Sequence, residues 1–427
     1  MYNLQSGGIK LMNKSDKIPT ETFCIIPWIH LNTWPNGNVY QCCITNYKNN
    51  IGNLKQNTLK ELWNSDHMKN LRLQFLNGEK PSTCKKCFEQ EENDIFSFRH
   101  NANWTFEHHI DQVVSDTNDD GSLNDMKFRY WDFRFSNLCN MKCRMCGGHL
   151  SSLWFNDETE LYGSTSEKVP VVNTKDHSID DMYQILDEQI DNVEEIYFAG
   201  GEPLIMDEHY YILEKLIEKK RFNVKLRYNT NLLKVSYKKW NNIELWKHFD
   251  LVQVMASLDG FGSRAEYIRK GTKWEVIDNN VKLLVDSPNV QFNVSPTIQL
   301  LNIFHLPEFI DYLFSCGMRI DNMHISNVLT DPKWYHINTL DDEYKAQVEE
   351  QLKNHISSFD DPYVRKRLDF YYSSIISYMY TGADRSIDEL RDIHQKFLFM
   401  TDTLDRIRGE SFLSVFPELE RHYKKVI

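Results

Sequence analysis

The sequence predicts an α/β fold: a barrel of parallel strands alternating with helices from Lys127 to about Val328, preceded by a small cysteine-bearing domain and followed by a helical region. Three observations lead there. Strand-like runs fall near 128–136, 194–199, 223–230, 250–258, 290–298 and 320–327. Helical runs separate them, with Tyr210, Leu213 and Ile217 in one and Ile277, Val281 and Leu284 in another, at three- to four-residue spacing. That alternation is what parallel strands need, because each must be joined to the next by a crossover. After residue 330 the alternation stops: Tyr344, Val348, Leu352 and Ile356 make one helical stripe, and Val364, Leu368 and Tyr371 begin another. The boundaries so read are a polar tail over 1–20, the cysteine-bearing domain over 21–90, a helical linker over 91–126, the barrel over 127–330 and the helical region over 331–427.

Within the strands, a two-residue alternation assigns faces. Trp131, Phe133 and Phe135 share one side of the first strand, and Asp132, Arg134 and Ser136 share the other. Leu226 and Tyr228 oppose Lys225, Arg227 and Asn229 in the third; Phe292 and Val294 oppose Gln291, Asn293 and Ser295 in the fifth. Helices cover a barrel's outside, so the apolar rows point outward and the polar rows line a lumen able to hold ligands. Arg134 and Arg227 are therefore candidates for positioning an anionic or carbonyl-bearing substrate; the alternative is that they pair with Asp132 and Glu195 in structural salt bridges.

The chain has 427 residues, 41% hydrophobic and 26% charged. Its mean hydropathy is -0.55, and it has no long apolar run, so no membrane span is expected. A net charge of -12 argues against nucleic-acid binding through a general basic field. The first 20 residues are mostly polar and lack a positively charged segment leading into an apolar core, which reads as a tail rather than a signal peptide. Nine cysteines in that context imply metal or redox sites in a reducing, cytoplasmic compartment rather than disulfides.

Cys139, Cys143 and Cys146 stand in a C-x3-C-x2-C run just after the first strand. Three thiolates hold three irons of a four-iron cluster and leave the fourth free to bind a small molecule. A zinc knuckle with a distant fourth ligand, or three unrelated thiols, is the alternative. The run resembles the radical S-adenosylmethionine (radical SAM) enzymes, in which the cofactor's amino and carboxylate groups chelate the open iron. The resemblance implies a partial six-stranded (β/α)6 TIM-type barrel rather than a closed eight-stranded one.

Further stretches share the resemblance. Ile196-Tyr-Phe-Ala-Gly200-Gly201-Glu202-Pro203 is a short apolar strand running into a glycine pair, where backbone can approach a ligand closely. In the family the matching Gly-Gly-Glu meets the cofactor's amino group. Leu251 to Gly260, with Ser257 and Asp259 at its polar end, and Tyr267-Ile-Arg269 look like the fourth strand and the arginine after it, which bear on the cofactor's ribose and carboxylate. The residue before the third cysteine is usually aromatic and near the adenine; here it is Met145, whose thioether still packs on an adenine face.

The N-terminal region carries a second constellation: Cys24 ahead of Pro27-Trp28, Gly37-Asn-Val-Tyr-Gln-Cys42-Cys43, and Cys84-Lys-Lys-Cys87. Four thiolates from three separated places can close around one metal, zinc being the alternative to iron. The glycine, four residues and cysteine of Gly37 to Cys42 resemble the SPASM and twitch domains, the auxiliary-cluster modules of many radical SAM enzymes. The single-cluster twitch form is implied because no cysteine follows Cys87 until the barrel, with Cys24, Cys42, Cys84 and Cys87 as ligands and Cys43 outside them. In familiar members the module follows the barrel; here it precedes it.

Other features carry less. Asp116 to Gly121 copies the start of an EF-hand loop, but Lys127 stands where a bidentate glutamate is needed, so a linker is expected. His108 and His109 are adjacent rather than at helical ligand spacing and are read as a solvated face, and Cys316 as a buried small hydrophobe at a helix end. The tail from Phe397 to Tyr423 reads as a packing helix.

The resemblance implies S-adenosylmethionine and two 4Fe-4S clusters, one core and one auxiliary, with a flavodoxin- or ferredoxin-like electron donor. The implied reaction is reductive cleavage to a 5'-deoxyadenosyl radical and hydrogen abstraction from a substrate. A peptide or protein substrate is expected from family habit, an aminosugar or other small metabolite being the alternative. A non-catalytic iron-sulfur electron carrier or a zinc-stabilised binding module are the readings from other classes.

Overall fold

The computed structural model describes residues 16–93, 96–163, 179–382 and 385–425; of the expected N-terminal tail, residues 1–15 lie outside them. Twelve strands occur among the described residues: β1 Asn32–Thr33, β2 Asn38–Tyr40, β3 Gly52–Asn53, β4 Tyr130–Phe133, β5 Lys142–Cys143, β6 Glu195–Phe198, β7 Lys225–Thr230, β8 Ser236–Tyr237, β9 Trp240–Asn241, β10 Val252–Ala256, β11 Arg269–Lys270 and β12 Val290–Val294. The chain divides into two compact units, one of Met1–Ser136 with Val171–Tyr197 and Glu214–Val224, the other of Asn137–Pro170, Phe198–Leu213 and Lys225–Ile427. The architecture is α/β, as the alternation of strand and helix predicts, and of the partial TIM-barrel type that the resemblance implies. No described helix is long and apolar enough to cross a membrane.

In the first unit the apolar run Phe23 to Leu31 is buried along its whole length, which takes the N-terminal segment into the core and leads it into β1. There β1 pairs antiparallel with β2 through Asn32↔Tyr40 and parallel with β4 through Asn32↔Asp132 and Thr33↔Phe133. The register is reinforced by Asn32 Nδ2 donating to the Asp132 carbonyl at 3.0 Å. On its other side β4 runs parallel to β6. Short helices begin on local signals: Thr58 and Glu61 form a reciprocal capping box on Leu59–Trp63, and Ser65 caps Asp66–Leu76. The latter helix buries Arg72, whose guanidinium donates to the carbonyls of Pro27, Trp63 and Gly121 and to Asn64. These oxygens take the place of water around a buried charge, and burial still lowers the guanidinium to about 9. Gly121, in the EF-hand-like stretch, has φ +80, and a Cβ there would sit 2.3 Å from the Lys69 carbonyl oxygen.

In the second unit β7, β10 and β12 are parallel and in register, Arg227↔Gln253↔Gln291 and Asn229↔Met255↔Asn293 on one face, Tyr228↔Val254↔Phe292 on the other. The apolar row is buried, and the helix Trp274–Val285 packs on β12.

The sixth strand expected over 320–327 is not a regular strand. A 3-10 turn occupies Ile320–Asn322, and only the single bridges Val294↔Met323 and Ile298↔Val328 follow. The backbone bonds here are isolated, His324 N to the Val294 carbonyl and Ile298 N to the Asn327 carbonyl, while Asn322 and Asn327 direct their side chains to Asn293 and Thr297.

Three long helices follow, Asp342–Ser357, Pro362–Met379 and Ile387–Arg408. The last is capped by Ser386 at its start and by Gly409, left-handed at φ 64, at its end.

Candidate functional site

The Cys139–Cys146 loop lies in the second unit and is held by backbone first. Cys143 sits in β5, which pairs antiparallel with β11 so that Arg269 lies directly opposite it. The Glu202 amide donates to the Leu138 carbonyl at 2.8 Å, and a Cβ on Gly201 would fall 2.2 Å from that same oxygen. Gly201 is thus a glycine because backbone packs on backbone here, a reason the motif alone did not disclose. Cys139 and Cys146 are half-buried and Cys143 is buried; Met145, between the last two, is half-exposed.

Around the thiols, Arg269 Nη1 lies 3.7 Å from Cys143 Sγ while its Nε donates to Asp259 Oδ2 at 2.7 Å. The other Asp259 oxygen accepts the Thr297 amide at 2.7 Å. Asn231 Nδ2 sits 4.0 Å from Cys139 Sγ and donates to Asn140 at 2.7 Å. Ser257 is half-buried after β10, its amide bonded to the Thr230 carbonyl. Glu202, 1% exposed, accepts from Thr230 Oγ1, Asn231 N and Leu204 N, which ties the Gly-Gly-Glu turn to the end of β7. Burial pushes its carboxyl up to about 7 against those hydrogen bonds.

Burial also raises all three thiols, Cys146 to about 12, while the Arg269 guanidinium works in the other direction on Cys143 and Cys146. Three thiols from one loop, with a fixed cation beside them, fit an iron-sulfur cluster whose binding displaces the protons.

In the first unit, Cys24, Cys42, Cys84 and Cys87 line one pocket together with Gln41, Thr83 and Arg99. Cys43 is not part of that lining; its carbonyl accepts from the Tyr47 hydroxyl at 3.1 Å. Burial and mutual proximity raise Cys24 and Cys84, the latter to about 12. Four thiols in one pocket fit a closed metal centre, zinc or iron-sulfur.

Sequence reasoning missed the residues that hold this pocket. Asn103, 3% exposed, brackets Cys24: its Oδ1 accepts the Ile25 amide at 2.8 Å and its Nδ2 donates to the Phe23 carbonyl at 2.7 Å. Arg99 donates to the same carbonyl at 2.8 Å and forms a two-point pair with Glu91 on the helix that follows Cys84. Gln41 Nε2 reaches Thr83 Oγ1 at 2.9 Å and Cys84 Sγ at 3.4 Å. A buried Asn some 80 positions from its partner leaves no periodic signal.

Arg134 and Arg227 fall in different units. Arg134 pairs with Asp132 at 3.4 Å, and its guanidinium lies 4.9 Å over the Trp34 ring. Arg227 is half-buried in a row with Gln253 and Gln291, which bond to one another at 2.6 Å.

The histidine pair is not simply a solvated face. His109 is largely covered, and both Nε2 atoms meet Glu194, at 3.0 Å for His108 and 2.5 Å for His109. Burial would raise Glu194, but His109, Arg129 and His108 outweigh it and hold the carboxyl at about 2. The Arg129 guanidinium, 2.9 Å away, already supplies the cation that a metal would bring. Cys316 is half-buried at the end of Leu306–Ser315 rather than fully enclosed.

Residues 133–313 match the radical SAM superfamily, and residues 24–88 match SPASM, an iron-sulfur cluster-binding domain, here at the N-terminal side. These two domains imply S-adenosylmethionine and 4Fe-4S clusters. Solved structures similar to this chain include native anSMEcpe with bound AdoMet, at 16% identity and TM-score 0.35, covering 56% of this chain and 61% of that one. Streptococcus suis SuiB bound to S-adenosylmethionine aligns at 16% identity and TM-score 0.32, over 68% of this chain and 63% of that one. SuiB bound to precursor peptide SuiA aligns at 15% identity and TM-score 0.33, over 82% and 74%. The chain thus spans about three fifths of the length of the first of these. No curated protein matches it.

Proposed function

We propose that this chain, which carries a radical SAM domain behind an N-terminal SPASM module, cleaves S-adenosylmethionine reductively to a 5'-deoxyadenosyl radical that abstracts hydrogen from a peptide or protein substrate. The observation that carries the reading is that Cys139, Cys143 and Cys146 share one loop, with the Arg269–Asp259 pair beside Cys143, Asn231 beside Cys139 and Gly201 packed on the same loop. The core cluster, when bound, supplies the electron that breaks a carbon–sulfur bond of the cofactor, and a flavodoxin- or ferredoxin-like protein replenishes it.

The chain's own residues do the holding and orienting. Cys139, Cys143 and Cys146 take three irons and leave one for the cofactor. Arg269 offsets thiolate charge at Cys143, and Asp259 fixes Arg269. The Glu202 carboxylate ties the Gly200-Gly201 turn to the end of β7 while its amide holds the turn on the loop at Leu138, and Met145 and Ser257 complete the cofactor's surroundings. Cys24, Cys42, Cys84 and Cys87 saturate the auxiliary cluster, which assigns it electron transfer or shaping of the site rather than substrate coordination. A peptide is favoured by the amide-bearing side chains Asn229, Gln253 and Gln291 on one face of β7, β10 and β12, whose hydrogen-bonding capacity beyond the Gln253–Gln291 bond suits backbone amides.

The test replaces Cys139, Cys143 and Cys146 together with Ala and assays 5'-deoxyadenosine in reduced protein without substrate. Formation falls to background; product at the wild-type rate refutes the assignment. Arg227→Met, with folding yield as the control, lowers substrate turnover more than soluble protein if that row binds substrate.

A further inference from the structure

Arg144 stands between two of the loop's cysteines, yet its side chain is wholly buried and turned to the C-terminal helical region. Its Nη2 pairs with Asp405 and, at 2.8 Å, with Glu410. The guanidinium lies 3.7 Å from the Tyr267 ring centroid, and the Tyr267 hydroxyl itself donates to Asp405 at 2.7 Å. The backbone is fixed as well, since the Arg144 amide donates to the Ile268 carbonyl at 2.8 Å.

Neighbouring contacts repeat the attachment. Arg408 donates to Asp157 at 2.8 Å, and the same carboxylate accepts from Lys142, the residue before Cys143, at 2.7 Å. Lys270 of β11 reaches Glu410 at 3.0 Å. Met400 and Leu404 form a buried cluster with Trp154 and Leu161, against which Cys146 packs, and Trp154 Nε1 donates to the Cys143 carbonyl at 3.0 Å.

Two physical points separate this from ordinary helix packing. A buried guanidinium needs acceptors built around it; Arg72 finds neutral carbonyls, whereas Arg144 is met by two carboxylates, so Asp405, Glu410 and the loop arginine belong together. Asp405 also lies in the last turn of Ile387–Arg408, where the helix dipole disfavours an acid, so it is placed there at the helix's own expense.

We propose that the helix Ile387–Arg408 and the segment to Glu410, outside both matched domains, act as a positioning element for the core cluster, with Arg144 as the positioning residue. This rests on the reading of Cys139–Cys146 as the cluster loop. By holding Arg144 at one point, Asp405, Glu410 and Tyr267 fix where the chain between Cys143 and Cys146 runs, and hence the spacing at which those thiolates are presented.

The test compares anaerobically loaded wild type with Arg144→Met, Arg144→Lys, Asp405→Asn and Leu368→Ala, the last a buried position on Pro362–Met379 that destabilises without touching the clamp. Iron release to a chelator is followed well below the melting temperature, with the low-temperature EPR signal of the reduced core cluster. Arg144→Met and Asp405→Asn release the core half of the iron at least five-fold faster than wild type and shift that signal. Arg144→Lys falls between, and Leu368→Ala, with a comparable fall in melting temperature, changes neither. Should Arg144→Met fail to fold, Asp405→Asn and Arg144→Lys carry the comparison. Release no faster than in Leu368→Ala, with an unaltered signal, overturns the proposal. Wild-type iron content in the protein lacking Cys139, Cys143 and Cys146 instead overturns the reading of the loop.

Discussion

Asn103→Ala removes both hydrogen bonds that bracket Cys24. The two losses are unequal. The Phe23 carbonyl keeps a donor, Arg99 Nη1 at 2.8 Å, so that loss costs about the net worth of one hydrogen bond, ~1 kcal/mol. The Ile25 amide belongs to a residue with no exposed surface, and its loss leaves a buried donor unpaired at about 1–3 kcal/mol. The sum, about 2–4 kcal/mol, falls on local opening of the Cys24 segment and corresponds to roughly 30- to 1,000-fold faster amide exchange there. Hydrogen exchange with mass spectrometry on metal-free protein reads this directly in a peptide covering Ile25, and peptides from β7 and β10 serve as the unaffected reference. In loaded protein the same variant loses up to half of the iron. Exchange at Ile25 within three-fold of wild type, in a folded variant, would refute the bracket as what positions Cys24.

Three further outcomes are expected. Gly201→Ala places a Cβ 2.2 Å from the Leu138 carbonyl oxygen, so the turn must move off the cluster loop, and core iron falls while auxiliary iron stays; unchanged core iron on analysis would contradict this. Cys42→Ala spares some cofactor cleavage but uncouples it from product, whereas Cys43→Ala, outside the pocket lining, retains both; the reverse pattern in paired assays of 5'-deoxyadenosine and product would invert the ligand assignment. Glu202, raised to about 7 by burial, is a carboxyl whose protonated form the fold prefers, so its stabilising contribution is complete below the ordinary carboxylate range and is lost as pH rises through 7. Between pH 5.5 and 8 the metal-free wild type should lose about 2 kcal/mol that Glu202→Gln does not lose, and equal pH dependence in thermal unfolding would show that this carboxyl does not titrate there.

The elements legible from residue order are those whose chemistry is local. Cys139, Cys143 and Cys146 lie within eight residues, so a single loop presents them together, and their spacing pointed to the radical SAM domain that residues 133–313 match. Period-two alternation in 225–230 and 252–256 likewise reports burial on one side of a strand, because successive side chains must point to opposite faces. The Gly37 to Cys42 spacing pointed in the same way to the SPASM module matched over residues 24–88.

Other features depend on which distant segments meet, and residue order does not encode that by any repeat. The strand β1, only two residues long, is a strand because β2 and β4 flank it. The stretch 320–327 has strand-like apolar residues, but a 3-10 turn over Ile320–Asn322 leaves it only isolated bridges to its neighbour. Gly201 reads as a ligand-approach glycine until the Leu138 carbonyl is found against it. Arg144 gives no signal of its own in the sequence, and its partners Asp405 and Glu410 lie more than 250 positions away. A buried charge draws its partners from wherever the chain returns, and that return is set by the packing of the whole core rather than by any neighbour in the sequence.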